Sequence, residues 1–196
     1  MAGKSGERKN QILQTLAGML EKPQAEKVTT AALAAKLDVS EAALYRHFAS
    51  KAQMFEGLIE FIEQTLFTRI NKITVEETDG LHQLDAILTL LLGFAQKNPG
   101  MTRVLIGDAL VNENERLQIR INQLHDRIEA TLRQCLRVAS TQGTVSAEID
   151  TNAMANLQIA YVTGRWHQFA KGGFKRLPLD QFEKQKAFLF KLAEDA

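Results

Sequence analysis

From Ile12 to near the end of the chain, apolar side chains recur at intervals of three and four and rarely alternate with polar ones. That spacing lines them along one face of an α-helix, whereas a half-buried strand needs a period of two. Only three prolines interrupt the pattern. The spacing therefore predicts an all-α protein of about nine helices with short connections. Ile12, Leu13, Leu16, Met19 and Leu20 form the first stripe, which Pro23 should end. Thr29 or Thr30 can cap the next helix, on which Leu33 and Leu37 lie one turn apart. Ser50-Lys51-Ala52-Gln53 reads as a capping box opening a long helix with Met54, Phe55, Leu58, Ile59, Ile62, Leu66 and Ile70 on one side. Asp79 can cap a second long helix that stops at Asn98-Pro99-Gly100, and a shorter one covers roughly 99–110. Asn112 with Glu115 offers a start for the helix through "LQIRINQLHDRIEATLRQCLRVA". Residues 140–150 read as a loop, and two last helices, near 150–171 and 180–194, flank the turn "KGGFKRLP".

The stretch "AALAAKLDVSEAALYRHFASK", residues 31–51, holds two short helical runs separated only by Asp38, Val39 and Ser40. A helix of two turns is not stable alone, so each run must brace the other. A helix-turn-helix does this, laying its second helix in the major groove of DNA. Leu33, Leu37, Val39, Leu44 and Phe48 can lock the pair, with Ala34, Ala35, Ala42 and Ala43 allowing close approach. Thr29 and Thr30, at a helix N-terminus, can meet a phosphate. Tyr45, His47 and Lys51 can reach backbone phosphates, leaving Ser40, Glu41, Ala42 and Arg46 nearest the base edges. Spacing alone also admits a plain helical corner whose tyrosine and histidine cover the core.

Charge is distributed to match. Residues 1–51 carry eight basic side chains against five acidic, and the remainder sixteen against eighteen, within a net charge of +1. A mildly basic head on a slightly acidic body suits an anionic partner at one end. The single cysteine, Cys135, allows no disulfide within one chain and fits a reducing compartment. Its neighbours Leu132 and Leu136 point to inert burial. The polar start "MAGKSGERKN" does not read as a secretory signal, and the apolar run at 86–95 is too short to span a bilayer, so a cytoplasmic protein is expected. His47, His82, His125 and His167 are scattered without metal-ligand spacing, and no glycine-rich phosphate loop is present. No enzyme, metal or cofactor is implied. Trp166 and Phe169, with Tyr161 and Val162, can line either a dimer seam or the core.

The order of helix, "VTTAALAAKLDVSEAALYRHFASK" and long helix resembles the N-terminal domain of the TetR family, with its signature Thr-Thr…Leu-Ala…Val-Ser…Leu-Tyr-x-His-Phe-x-x-Lys. The resemblance implies a helix-turn-helix head over residues 1–51, continuing into the long helix from residue 50. A helical dimerisation and partner-binding body would follow over 52–196, its last two helices forming the seam of a homodimer. Further along, "MFEGLIEFIE", "TRIN", "LLLGFAQKNPGMTRVL" and "RINQLHDRIEATLRQ" are similar to the nucleoid occlusion members of that family. That likeness runs over most of residues 28–137.

What this implies is a homodimer on palindromic sites in double-stranded DNA, associated with the nucleoid. It would hold the C-terminal tail of the tubulin-like division protein FtsZ, so that no division ring assembles over the chromosome. On the matching positions Phe61 and Leu90 would make apolar contact with that tail, and Gly93 would allow close approach. Arg69 and Lys97 would pair with its acidic groups, and Asn98 would hydrogen-bond its backbone. Relatives of this kind carry a more basic N-terminal arm, Lys where Ala32 stands, Pro where Ala49 stands and Arg where Lys97 stands. Fewer cations near phosphates weaken DNA binding and flatten its salt dependence, and Lys97 forfeits the bidentate pairing of an arginine. Two other readings compete: a repressor released from DNA by a small molecule in an apolar cavity of the body, and a helical dimer serving only as a protein adaptor.

Overall fold

The computed structural model describes residues 2–22 and 28–194. Among the described residues there are nine α-helices, one 3-10 turn and no strand. They are α1 (Ala2–Leu20), α2 (Thr30–Lys36), α3 (Glu41–Tyr45), α4 (Lys51–Glu76), α5 (Gly80–Lys97), α6 (Pro99–Leu105), the 3-10 turn Asp108–Leu110, α7 (Glu115–Thr141), α8 (Thr151–Lys171) and α9 (Phe182–Glu194). Pro23, the expected end of α1, lies outside the described residues. The chain divides into two compact units, one of residues 1–62 with 98–121 and one of residues 63–97 with 122–196. The long helices α4 and α7 each contribute to both.

In the first unit α1 packs on α2 and α6, and α2 on α3. Ile12, Leu16 and Leu20 bury one side of α1, with Leu13 and Met19 half-buried at its margins. The Asn98-Pro99-Gly100 breaker has a packing reason as well as a conformational one. A Cβ on Gly100 would collide with the Ala17 carbonyl, so glycine lets α6 cross the backbone of α1. Pro99 fills the first turn of α6, where its missing N–H costs nothing.

The capping residues act largely as their spacing predicts. Thr29 Oγ1 accepts from Ala32 N at 3.1 Å; Ser40, expected only as a DNA contact, also caps α3, its Oγ accepting from Ala43 N at 3.3 Å. At α4, Ser50 Oγ accepts from Gln53 N at 3.2 Å, but the Gln53 amide reaches one residue further back, to Ala49 N at 2.8 Å. The start of α7 is capped by Asn114, whose Oδ1 accepts from Arg116 N at 3.1 Å. Asn112, the expected cap, instead takes a left-handed turn with φ 65°.

In the second unit α5 packs on α8. Leu84, Ile87, Leu88, Leu91, Leu92 and Ala95 of α5 are buried, as are Leu124, Ile128, Leu132 and Leu136 of α7. Asp79 Oδ1 caps α5 through His82 N at 2.9 Å, and the Gln142 side chain adds Gly80 N at 2.9 Å and the Thr78 carbonyl at 2.6 Å. Asp150 caps α8 through Asn152 N and Ala153 N at 2.9 and 3.1 Å.

Candidate nucleic-acid interface and partner surface

The elbow between α2 and α3 closes as a Schellman turn. Asp38 N bonds the Ala35 carbonyl at 3.2 Å and Val39 N the Ala34 carbonyl at 3.1 Å. Asp38 takes the left-handed position at φ 53°, which aspartate tolerates better than most side chains. Leu33, Ala34, Leu44 and Phe48 are buried, while Leu37, Val39 and Ala43 are half-buried and Ala35 and Ala42 face outward. Only Ala34 and Ala43 of the four alanines therefore sit toward the packed side.

The outer side of α3 carries Ser40, Glu41, Ala42, Tyr45 and Arg46, all exposed, as is Thr29 at the start of α2. Tyr45 is 44% exposed, so its ring is not a lid on the core. Thr30, His47 and Lys51 are half-buried. All nine expected DNA contacts thus belong to the first unit, at the N-termini of α2, α3 and α4 and along α3.

Two of these side chains are engaged with acids in the free protein. Thr30 Oγ1 donates to Glu41 Oε2 at 2.6 Å, a bond across the elbow that ties the two helix starts together. Lys51 Nζ pairs with the Glu113 carboxylate, their side chains only 21% and 11% exposed. An ammonium has three donors, so Lys51 meets a phosphate either by sharing or by leaving Glu113. Beside this pair lies a cavity of about 200 Å³ lined by Leu20, Phe55, Arg103 and Asp108 among others. Arg103 bonds Asp108 at 2.6 Å and the Leu20 carbonyl at 3.4 Å, pinning the end of α1 to the segment before α7. Sequence reasoning missed Glu113, Arg103 and Asp108. Each lies in a stretch of ordinary polarity, and Glu113 is 62 residues from Lys51.

The six expected tail contacts are divided. Phe61 and Asn98 fall in the first unit, and Arg69, Leu90, Gly93 and Lys97 in the second. Along α4, Phe61 is 46% exposed, unusual for so large an apolar ring, and Arg69 is exposed on the same side eight residues on. On α5, Leu90 and Gly93 are half-buried and Lys97 exposed, at spacings of three and four that share one face. Near Gly93, an added Cβ would meet only Leu179 Cδ1, at an ordinary 3.8 Å. Internal packing therefore does not require glycine there. Asn98 precedes α6 without a side-chain cap bond, and its carbonyl accepts from Thr102 N at 2.9 Å.

Comparison with known proteins decides the family. Residues 15–58 match the family described as bacterial regulatory proteins, tetR family. Residues 78–193 match the SlmA-like family described as tetracyclin repressor-like, C-terminal domain. The nucleoid occlusion factor SlmA of Alteromonas mediterranea is 54% identical over 186 residues, covering 95% of either chain. That of Vibrio cholerae serotype O1 is 51% identical over 191 residues, covering 96% of this chain and 97% of the other. The chain belongs to the SlmA group of the TetR family. Solved structures agree on the fold. The Bacillus subtilis regulator FadR, crystallised with stearoyl-CoA, superposes with a TM-score of 0.76 at 13% identity, over 92% of this chain and 96% of that one. The TetR-family regulator PfmR of Thermus thermophilus gives 0.73 at 23% identity, over 93% and 96%.

Burial within the chain settles the placement of the aromatic residues. Trp166, Phe169 and Val162 are buried in the second unit, and Trp166 Nε1 donates to the Leu91 carbonyl at 3.2 Å. They are core rather than seam. Tyr161 sits at the margin, its hydroxyl donating to Gln185 Oε1 at 2.6 Å. His125 packs its ring on Trp166 at 5.8 Å, while His82 and His167 are exposed. Cys135 is buried, and desolvation pushes its thiol up to about 11, against the lowering effect of a backbone hydrogen bond. Among the described residues no group of three or more His, Cys, Asp or Glu converges as a metal site. No described helix is long and apolar enough to cross a membrane. A second cavity, of about 480 Å³, opens beside Thr74, Gln83, Arg127, Thr131 and Cys135.

Proposed function

We propose that this protein is a DNA-bound inhibitor of cell division, acting as a homodimer on palindromic chromosomal sites and holding the C-terminal tail of FtsZ. The observation that carries the reading is that about half of all positions match nucleoid occlusion factors across nearly the whole chain, body included. Bodies of ligand-responsive repressors are each shaped to their own small molecule, so likeness through the body points to a shared partner. In this reading residues 1–51 read DNA, with Arg46, Ser40, Glu41 and Ala42 at base edges and Thr29, Thr30, Tyr45, His47 and Lys51 at phosphates. Residues 52–196 dimerise and bind the partner. Exposed Leu157 on α8 and Phe188 on α9, the latter 72% exposed, supply apolar surface for a second copy. Phe61 and Leu90 would take apolar side chains of the tail, Arg69 and Lys97 its carboxylates, and Asn98 its backbone. The protein would act on the nucleoid in the cytoplasm, by binding rather than by catalysis.

The test is a fluorescence-anisotropy titration of a labelled FtsZ C-terminal tail peptide against the wild type and a Phe61→Ala, Lys97→Glu variant. Saturable binding that the variant loses supports the reading. A folded dimer that ignores the peptide defeats it. Thr30→Ala should weaken DNA binding and leave peptide binding intact; loss of both would argue against separate surfaces.

One observation favours the second reading, a ligand-released repressor. Gln158 is fully buried on α8, and neither its Oε1 nor its Nε2 has a hydrogen-bond partner. Buried amides are rarely left so, and a small polar ligand is one way to satisfy it. A metabolite that raises the melting temperature and also releases DNA would establish that reading.

A further inference from the structure

The turn between α8 and α9 is held far more firmly than a surface loop needs. Arg165 reaches back from α8 and donates to three of its carbonyls, Leu177 at 2.9 Å, Pro178 at 3.1 Å and Asp180 at 2.7 Å. The ring of Phe174 stands edge-on to that of Phe169 at 5.1 Å. Phe174 has φ 63°, just after Gly173 at 65°, and a non-glycine residue in the left-handed region persists only when its surroundings over-determine it. Pro178 is buried. Leu179 docks the loop onto α5: its N–H donates to Gln96 Oε1 at 3.4 Å, and its Cδ1 lies 3.8 Å from where a Cβ on Gly93 would stand.

This fixed backbone presents Lys175, Arg176 and Leu177 to solvent. Neither Lys175 nor Arg176 forms an ion pair or hydrogen bond among the described residues. Leu177 adds an apolar side chain that is 37% exposed. At the neighbouring end of α5, Lys97 projects from the last turn, where the helix dipole already favours a cation. The loop thus continues the Leu90, Gly93 and Lys97 face of α5 with two further uncompensated cations flanking an apolar contact. All of it lies within the second unit, which does not contain the helix-turn-helix.

We infer that Lys175, Arg176 and Leu177 form an extension of the partner surface, which takes an acidic stretch of peptide flanking the segment bound on α5. Arg176 is three residues from Leu179, so their Cα atoms are separated by no more than about 11 Å. A peptide bound on α5 reaches the loop with about three or four further residues. Carboxylates meet Lys175 and Arg176, and an apolar side chain covers Leu177. Pre-ordering by Arg165 means that little loop entropy is lost on binding. The inference rests on the tail-binding reading above.

The test titrates the labelled FtsZ tail peptide, and a version with its Asp and Glu changed to amides, against wild type, Lys97→Glu and Lys175→Glu/Arg176→Glu, at several salt concentrations. The loop variant should bind the native peptide about five- to tenfold more weakly, with a shallower salt dependence. The amide peptide should no longer distinguish it from wild type. Both loop residues are exposed, and Lys175→Ala/Arg176→Ala provides a gentler check, with a weaker effect of the same sign. Equal affinity and salt slope for wild type and loop variant, with Lys97→Glu impaired, would overturn the extension and leave the tail reading standing. A wild type that fails to bind the peptide would overturn both. Loss of DNA affinity in the loop variant, with peptide affinity kept, would assign these cations to nucleic acid and overturn the inference.

Discussion

Replacing Gly93 with alanine should make the protein more stable and its partner surface worse. A glycine inside a helix costs about 0.8–1.0 kcal/mol relative to alanine, because its backbone is freer in the unfolded chain. Nothing in the second unit offsets that cost, since the new methyl would meet only Leu179 Cδ1, at 3.8 Å. The full propensity gain of about 1 kcal/mol is expected, a rise in melting temperature of about 2–4 °C for a chain of this size. In urea the midpoint should increase with the m-value unchanged. A peptide lying on the Leu90 and Lys97 face must then stand off by the thickness of a methyl group. A loss of about tenfold in affinity for the FtsZ tail peptide, about 1.4 kcal/mol, is the expected scale. Gly100→Ala is the contrasting control, because its Cβ collides with the Ala17 carbonyl and should destabilise the first unit. If Gly93→Ala lowers stability, the packing argument is wrong. If it raises stability and leaves peptide affinity unchanged, Gly93 does not face the tail.

Three other perturbations have defined outcomes. Glu113→Gln removes the acid that holds Lys51; DNA affinity should rise and the slope of log K against log salt should steepen by about one unit, and an unchanged slope would mean that Lys51 does not reach a phosphate. Arg46→Ala, at an exposed side chain without a partner among the described residues, should cost about 1–3 kcal/mol on the preferred site and relax sequence preference; a uniform loss on all sequences would make it a phosphate contact instead. Because Cys135 is buried, and desolvation also pushes its thiol up to about 11, a thiol reagent at pH 8 should label the native protein much more slowly than the unfolded chain, and equally rapid labelling of the native protein would contradict its burial.

The sequence was most readable where the physics is local. A cap and its backbone N–H lie within a few residues, and an apolar stripe within two turns. Thr29, Ser50 and Asp79 accordingly cap the helices that begin beside them. Where local rules misplaced an element, another local rule had competed. Asn112 precedes Glu115 by three residues and Asn114 by one, and Asn112 is the one that takes the left-handed turn. Asparagine suits both roles, so spacing alone cannot choose between them. The aromatic residues of α8 stayed open between seam and core for a different reason. A stripe shows which side of a helix is apolar but not what covers it, and for Trp166 the cover is the carbonyl of Leu91, 75 residues away.

The candidate DNA face divides along the same line. Residue type and register place Ser40, Tyr45 and Arg46 outward, and they are outward, as is Ala42, which is also expected at the helix–helix approach. What each side chain touches in the absence of DNA is a long-range matter. Thr30 is bound to Glu41 from the next helix, and Lys51 to Glu113 from beyond α6. Both acids occupy donors that DNA would use, so DNA binding must either share or break these bonds. Bonds of this kind lower affinity for any phosphate backbone alike, while leaving Arg46 open to base edges. On this reading the carboxylates of Glu41 and Glu113 compete with phosphate for Thr30 and Lys51. A count of charges along the chain includes both acids but does not show which cation or hydroxyl each one holds.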